Sequence, residues 1–134
     1  MNLFFIERGI PILFFISLYF KIYILTNQLL EIVRIGIHYS LHLLIPGLIA
    51  FYFYRKHWKK VWLLFIATML VDLDHLVANP IFDPNRCSIN FHPLHSYYAM
   101  GIYSIMLYFP KTRIIGVALL FHMFTDFLDC LWIS

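Results

Sequence analysis

Ten residues of this chain carry most of its chemical potential: His38, His42, Asp72, Asp74, His75, His92, His95, His122, Asp126 and Asp129. His38 and His42 are spaced i,i+4, as are His122 and Asp126; Asp72 and His75 are spaced i,i+3, as are His92 and His95. On a helix such pairs share a face, with Cβ atoms about 5–6 Å apart, so both members can converge on one ion. Imidazole is the commonest metal ligand, and mixed nitrogen and oxygen donors suit divalent ions without any thiolate. The spacing therefore predicts a metal centre with His38, His42, Asp72, His75, His92, His95, His122 and Asp126 as ligands. It would hold one or two divalent ions, zinc first, with manganese and iron as the other candidates. Asp74 and Asp129 fall off these shared faces on an ideal helix. Each is a spare carboxylate available as catalytic general base, and Asp74 is also a candidate to orient a ligand imidazole or to reach a second metal. Pro46, four residues after His42, removes the helical donor to the His42 carbonyl.

The elements that must position these residues are apolar. The chain has 134 residues, of which 62% are hydrophobic and 13% charged. A soluble domain this small has too much surface for its volume to hide that much apolar area, and the mean hydropathy is +0.79. The expected fold class is all-α, a polytopic membrane helix bundle. Residues 1–34 would hold an N-terminal hydrophobic helix, A, from about Ile10 to Leu30. Residues 35–134 would form a domain of four core spans: B from Ile35 to Tyr54, C from Val61 to Ala78, D from Pro93 to Phe109 and E from Arg113 to Trp132. Spans of about 20 apolar residues cross a bilayer. Segment 10–20 lacks the small-residue cleavage site of a signal peptide. The basic stretch Arg55-Lys56-His57-Trp58-Lys59-Lys60 separates B from C. Asn79-Pro80 and Asp83-Pro84-Asn85 punctuate the C–D loop, and Pro110-Lys111-Thr112 ends D.

Arg8, the four basic residues of the B–C loop, Lys111 and Arg113 would lie on one side, against Arg34 and Arg86 on the other. By the positive-inside rule the first side is cytoplasmic. Measured from that side at about 1.5 Å per residue, His42 and His38 lie at about 18 and 24 Å, and Asp72, Asp74 and His75 at about 16–21 Å. His95 and His92 lie at about 21 and 26 Å, and His122, Asp126 and Asp129 at about 14–24 Å. Four helices of alternating direction thus deliver their polar residues to one layer in the outer half of the membrane. Unpaired carboxylates there are strongly unfavourable, and a divalent ion with imidazoles relieves that cost. The expected location is a bacterial inner membrane, multi-pass, with the site towards the extracytoplasmic side. The net charge of +3 is scattered, so no nucleic-acid partner is expected; the expected partner is membrane lipid.

The ordered motifs His38-Tyr39-Ser40-Leu41-His42, Val71-Asp72-Leu73-Asp74-His75, Phe91-His92-Pro93-Leu94-His95-Ser96 and His122-Met123-Phe124-Thr125-Asp126 resemble a family of small bacterial inner-membrane proteins. The resemblance covers residues 35–132, and its most specific run is 83–95. More distantly, the order is similar to the YdjM-type membrane-bound metal-dependent hydrolases, which carry an early His, a Pro-Asp-x-Asp-His, a His-Arg-Gly-x-Thr-His and a His-x-x-x-Asp. That resemblance implies His38 or His42, Asp72, Asp74, His75, His92, His95, His122 and Asp126 as the site. Val71 stands where those proteins have proline, and Pro93-Leu94 replaces the arginine-containing stretch, so any anion-binding arginine must be another, such as Arg86.

Two functions compete. In a metal-dependent hydrolase, metal-activated water attacks a lipid or lipid-linked phosphoester entering from the outer leaflet, with Arg86, Ser96 and Tyr97 near its headgroup. In a metal carrier or sensor there is no chemistry, but a conduit needs polar residues continuing to the cytoplasmic side, and the inner halves of B to E are apolar. Haem ligation by paired His fits poorly with so many carboxylates. Cys87 and Cys130 both fall on the outer, oxidising side, where a disulfide between them is expected.

Overall fold

The computed structural model describes residues 4–133 apart from Phe82 and Pro84, with side chains from Leu13 onward. It is all-helical, and no strand occurs among the described residues. The chain divides into two units, Met1–Ile35 and Gly36–Ser134. In the first, the side chains from Leu13 are almost all exposed and mostly apolar. Arg8, used above for topology, has its side chain outside the described residues.

The expected turn between A and B is absent. A single helix, α1, runs Phe4–Phe53. The sequence between Pro11 and Gly36 has neither glycine nor proline to stop it, and Glu31 pairs with Arg34 at 3.8 Å in an i,i+3 bridge across the expected break. The helix also continues through Pro46. One described stretch, Leu13–Phe53, is long and apolar enough to cross a membrane.

Span C divides into two kinds of helix. The first, α2, covers Trp58–Ala67; the chain then tightens into a 3-10 helix over Thr68–Val77. Runs of 3-10 helix beyond three or four residues are uncommon and mark strain or function. The tighter winding has a direct consequence. Residues three apart eclipse, so Thr68, Val71 and Asp74 line one buried face. Asp74, which an ideal α-helix turns away from the Asp72–His75 pair, is buried because the helix is not α.

Span D is also broken. A 3-10 turn covers Pro93–His95, Ser96 is extended (ψ 156°) and α3 covers Tyr97–Ile105. The Ser96 hydroxyl caps α3 by accepting from the Ala99 amide at 3.2 Å and donates to the Pro93 carbonyl at 2.7 Å. A further 3-10 turn, Met106–Tyr108, ends the span. The last helix, α4, covers Arg113–Cys130. Thr112 and Arg113 fasten the turn before it through the carbonyls of Met106 and Leu107.

Helix α4 is central, packing against α2, α3 and both 3-10 segments that flank them. Gly116 permits the closest approach: a Cβ there would lie 2.8 Å from the Tyr103 carbonyl oxygen. Two apolar clusters hold the second unit. Ala50, Val61, Phe65 and Ala118 form one, flanked by Trp58 and Trp62; Val71, Ala99, Tyr103 and Met123 form the other. The Trp62 indole donates to the Leu43 carbonyl at 2.8 Å, tying α2 to α1 over Gly47. A disulfide joins Cys87 to Cys130, fastening the loop before Pro93 to the end of α4.

Candidate metal centre

All ten histidines and aspartates singled out above lie in the second unit, and their side chains form one connected set. The imidazoles run in an unbroken chain of ring contacts, His38–His42–His122–His95–His75–His92, with centroids 3.8–5.5 Å apart.

At the centre of that chain, four donors from three elements face one another. Asp72 comes from the Thr68–Val77 segment, His95 from the Pro93–His95 turn, and His122 and Asp126 from one face of α4. His95 Nε2 lies 2.9 Å from Asp126 Oδ2 and 3.3 Å from Asp72 Oδ1; His122 Nε2 lies 3.3 Å and 3.2 Å from the same two oxygens. Ligands about 2.0–2.1 Å from a tetrahedral ion are separated from each other by about 3.3 Å. The four nitrogen-to-oxygen distances therefore match those between ligands of one ion, and all four donor atoms lie within 4.8 Å of one another.

Hydrogen bonding alone does not account for this arrangement. His95 Nδ1 faces Asp74 Oδ2 at 3.1 Å, and a neutral ring that donates there presents a lone pair at Nε2. That lone pair points among carboxylate oxygens, and neither His95 Nε2 nor Asp126 Oδ2 has a hydrogen-bond partner although both are buried. Buried polar atoms are nearly always satisfied. Two acceptors 2.9 Å apart need a cation between them, a proton or a metal ion, and this pair does not meet the geometry of a hydrogen bond. The donor set thus fits a divalent cation, and buried His and Asp groups here can hold one.

Asp74 anchors the arrangement. Its Oδ2 accepts from His95 Nδ1 and, at 2.8 Å, from the Leu94 amide; its Oδ1 lies 3.1 Å from His75 Nδ1. A carboxylate behind a ligand imidazole fixes the ring's tautomer and orientation. This is the orienting role that the sequence left open beside that of general base. His95 is held on its backbone as well: the Tyr103 hydroxyl donates to the Leu94 carbonyl at 3.0 Å, and the Asn90 amide donates to the His95 carbonyl at 2.9 Å. Asn90 has φ 61°, a conformation asparagine tolerates.

The remaining candidates surround this core. His42 Nε2 lies 3.2 Å from Asp126 Oδ1. His38 Nδ1 lies 4.0 Å from Asp129 Oδ1, both side chains being about a quarter exposed. His75 and His92 stack at 3.8 Å with Asp74 beside them, and His75 Nε2 meets Ser88 Oγ at 3.1 Å. His75 and His92 therefore belong to the group around Asp74 rather than to the four central donors. Ser88 is a site neighbour the sequence reading missed; it belongs to no periodic pattern and comes from an irregular loop.

Arg86 and Ser96, both expected near a headgroup, make local contacts in the structure. The Arg86 guanidinium donates to the carbonyls of Pro80 and Ile81 and stacks over Phe91 at 4.7 Å. Ser96 is the α3 cap described above. Tyr97 is exposed.

A family model matches residues 32–133, a stretch that contains every residue of this centre. The chain belongs to the DUF6122 family, a family of unknown function. No curated protein and no solved structure matches it. What this DUF6122 chain does must therefore be argued from its own donors. Their access is uneven: His95, His122 and Asp126 are 0%, 1% and 6% exposed, whereas Asp72 is 33% exposed. Asp72 is the most exposed of the four donors.

Proposed function

We propose that the chain is a membrane-embedded, metal-dependent hydrolase acting on a lipid or lipid-linked phosphoester at the outer leaflet of a bacterial inner membrane. The observation that carries the metal reading is the set of four N and O donors 2.9–3.3 Å apart, with His95 Nε2 and Asp126 Oδ2 orphaned and buried. The exposure of Asp72, beside three nearly buried donors, supports chemistry over storage, because a closed shell suits structural ions whereas a catalytic ion keeps an accessible position. The motif order similar to that of the YdjM-type hydrolases points the same way.

Membrane insertion through four core spans is supported by the inverted distribution of side chains in the second unit. Leu63, Leu70, Ile102, Ile105, Phe124 and Phe127 are exposed while His42, His95, His122, Thr125 and Asp126 are buried. Continuous exposed apolar surface needs a partner, and a bilayer provides it. Multi-pass topology, with the Arg55–Lys60 loop cytoplasmic, puts the Cys87–Cys130 disulfide on the oxidising side. The centre then lies within reach of outer-leaflet headgroups.

A bound divalent ion would lower the pKa of water towards neutrality and polarise a phosphoryl oxygen. The chain's own residues do the rest. His122 and Asp126 from α4, His95 from the Pro93–His95 turn and Asp72 would hold the ion, with Asp74 orienting the His95 ring and Asp72 the most exposed of the four. Asp129, at the partly exposed edge beside His38, remains the carboxylate proposed as general base.

The alternative is a metal carrier or sensor without catalysis. A carrier needs polar groups continuing across the membrane, and the cluster of Ala50, Val61, Phe65 and Ala118 is apolar. The experiment is a hydrolysis assay of the metal-loaded, detergent-purified chain on short-chain phospholipid and lipid-phosphate substrates. Phosphate or headgroup release that Asp72→Asn lowers at least about tenfold is expected; full metal occupancy with no release from any of these substrates would favour the carrier or sensor.

A further inference from the structure

The two oxygens of Asp126 face different sets of imidazoles. Its Oδ2 lies among His95 and His122, together with Asp72. Its Oδ1 is turned the other way and lies 3.2 Å from His42 Nε2. His42 in turn stands 4.6 Å, ring to ring, from His38. One donor atom each from His38, His42 and Asp126 lies within 4.8 Å of the others, in a second group that shares only Asp126 with the four-donor set. His38 Nδ1 is buried and has no hydrogen-bond partner, and the nearest charged oxygen is Asp129 Oδ1 at 4.0 Å. His38 and His42 are thus placed as donors without being used by the first centre.

We infer that the second unit holds a pair of divalent cations bridged by the Asp126 carboxylate, one on Asp72, His95, His122 and Asp126 Oδ2, the other on His38, His42 and Asp126 Oδ1. This deepens the metal reading above and rests on it. The physical argument is charge and direction. A buried carboxylate with one orphaned oxygen is satisfied by a single cation, but the opposite oxygen still faces His42 Nε2, and the buried His38 Nδ1 still has no partner. A second cation there uses all of them. Carboxylate-bridged pairs hold their ions about 3.5–4 Å apart, the separation at which two metals clamp the attacking and leaving oxygens of a phosphoryl group.

The third group, Asp74, His75 and His92, does not make a comparable site. Both Asp74 oxygens are already engaged, by Leu94, His95 and His75. The two proposed ions are also unequal. The Asp72 centre has two carboxylates and two almost fully buried imidazoles, while the second has one shared carboxylate and the partly exposed His38. The second ion should therefore exchange first when a chelator is added.

The test uses the full chain purified in detergent, stripped with chelator and titrated with Mn2+ alone. Bound metal is counted after desalting, and the ions are observed by electron paramagnetic resonance. The expected result is two ions per chain, with an isolated-ion signal at one equivalent giving way to an exchange-coupled one at two. His42→Gln should bind one ion with no coupling, and Asp126→Asn should weaken both sites at least about tenfold. One ion in the unaltered chain, unaffected by His42→Gln, would overturn the second site and leave the four-donor centre standing. Two ions without coupling would overturn the bridge. No bound ion would overturn the centre and the pair together. The measurements on the unaltered chain decide the matter even if a variant fails to fold.

Discussion

At one end of residues 36–134, Ala50, Val61, Phe65 and Ala118 pack between regular α-helices. At the other, where Asp72, Asp74, His92 and His95 gather, the backbone is 3-10, extended or irregular. The apolar end is held by non-directional contacts, which favour the commonest helix and tolerate modest changes of side chain. The polar end must aim particular atoms, and its backbone is wound to do so. The 3-10 geometry of Thr68–Val77 turns Asp74 inward. The break at Ser96 lets the Pro93–His95 turn cross towards α4, and the disulfide fastens the neighbouring loop. Backbone polar groups outside a regular helix still need partners, and here Asp74, Tyr103 and Asn90 provide them for Leu94 and His95.

The contrast can be broken at either end. The largest expected effect is at the polar end: Asp126→Ala removes the carboxylate shared by both groups of donors and should abolish metal binding, read by elemental analysis of the purified variant. Full occupancy would show that the ligands are misassigned. At the apolar end, Phe65→Ala should destabilise the chain by about 3–5 kcal/mol, seen as a fall in the thermal midpoint in detergent, while the metal content of the folded fraction stays unchanged. A loss of metal without loss of stability would dissolve the distinction. Smaller effects sharpen it. Asp74→Asn keeps the shape of the side chain but weakens the hold on His95, and metal affinity should fall about 10–100-fold in competition with a fluorescent chelator. Tyr103→Phe loses only the hydroxyl bond to the Leu94 carbonyl and should cost about 1 kcal/mol of stability, with little change in metal stoichiometry.

The same contrast explains what could be read in the sequence. The basic loop at 55–60, the all-helical class and the gathering of four polar stretches follow from composition, periodicity and height, because those signals depend on rise per residue and not on fine winding. The Asp72–His75 and His122–Asp126 pairs were legible because i,i+3 residues share a face on either kind of helix and i,i+4 residues share one on an α-helix such as α4. Asp74 was not placed, because only the change from 3.6 to 3.0 residues per turn decides its direction, and no residue in Thr-Met-Leu-Val announces that change. The continuity of α1 was missed because the polar residues near Glu31 and Arg34 read as a break when they are an i,i+3 ion pair on a helix. Arg86 looked like an anion ligand because its carbonyl partners, Pro80 and Ile81, are set by an irregular loop that carries no period.

The central claim is that the buried donors around Asp126 hold divalent metal. Elemental analysis of the full chain, purified in detergent without chelators, tests it most directly. The account predicts at least one transition-metal ion per chain, rising to two when metal is supplied; less than about one ion per two chains, even after incubation with zinc, manganese or iron and desalting, would contradict it.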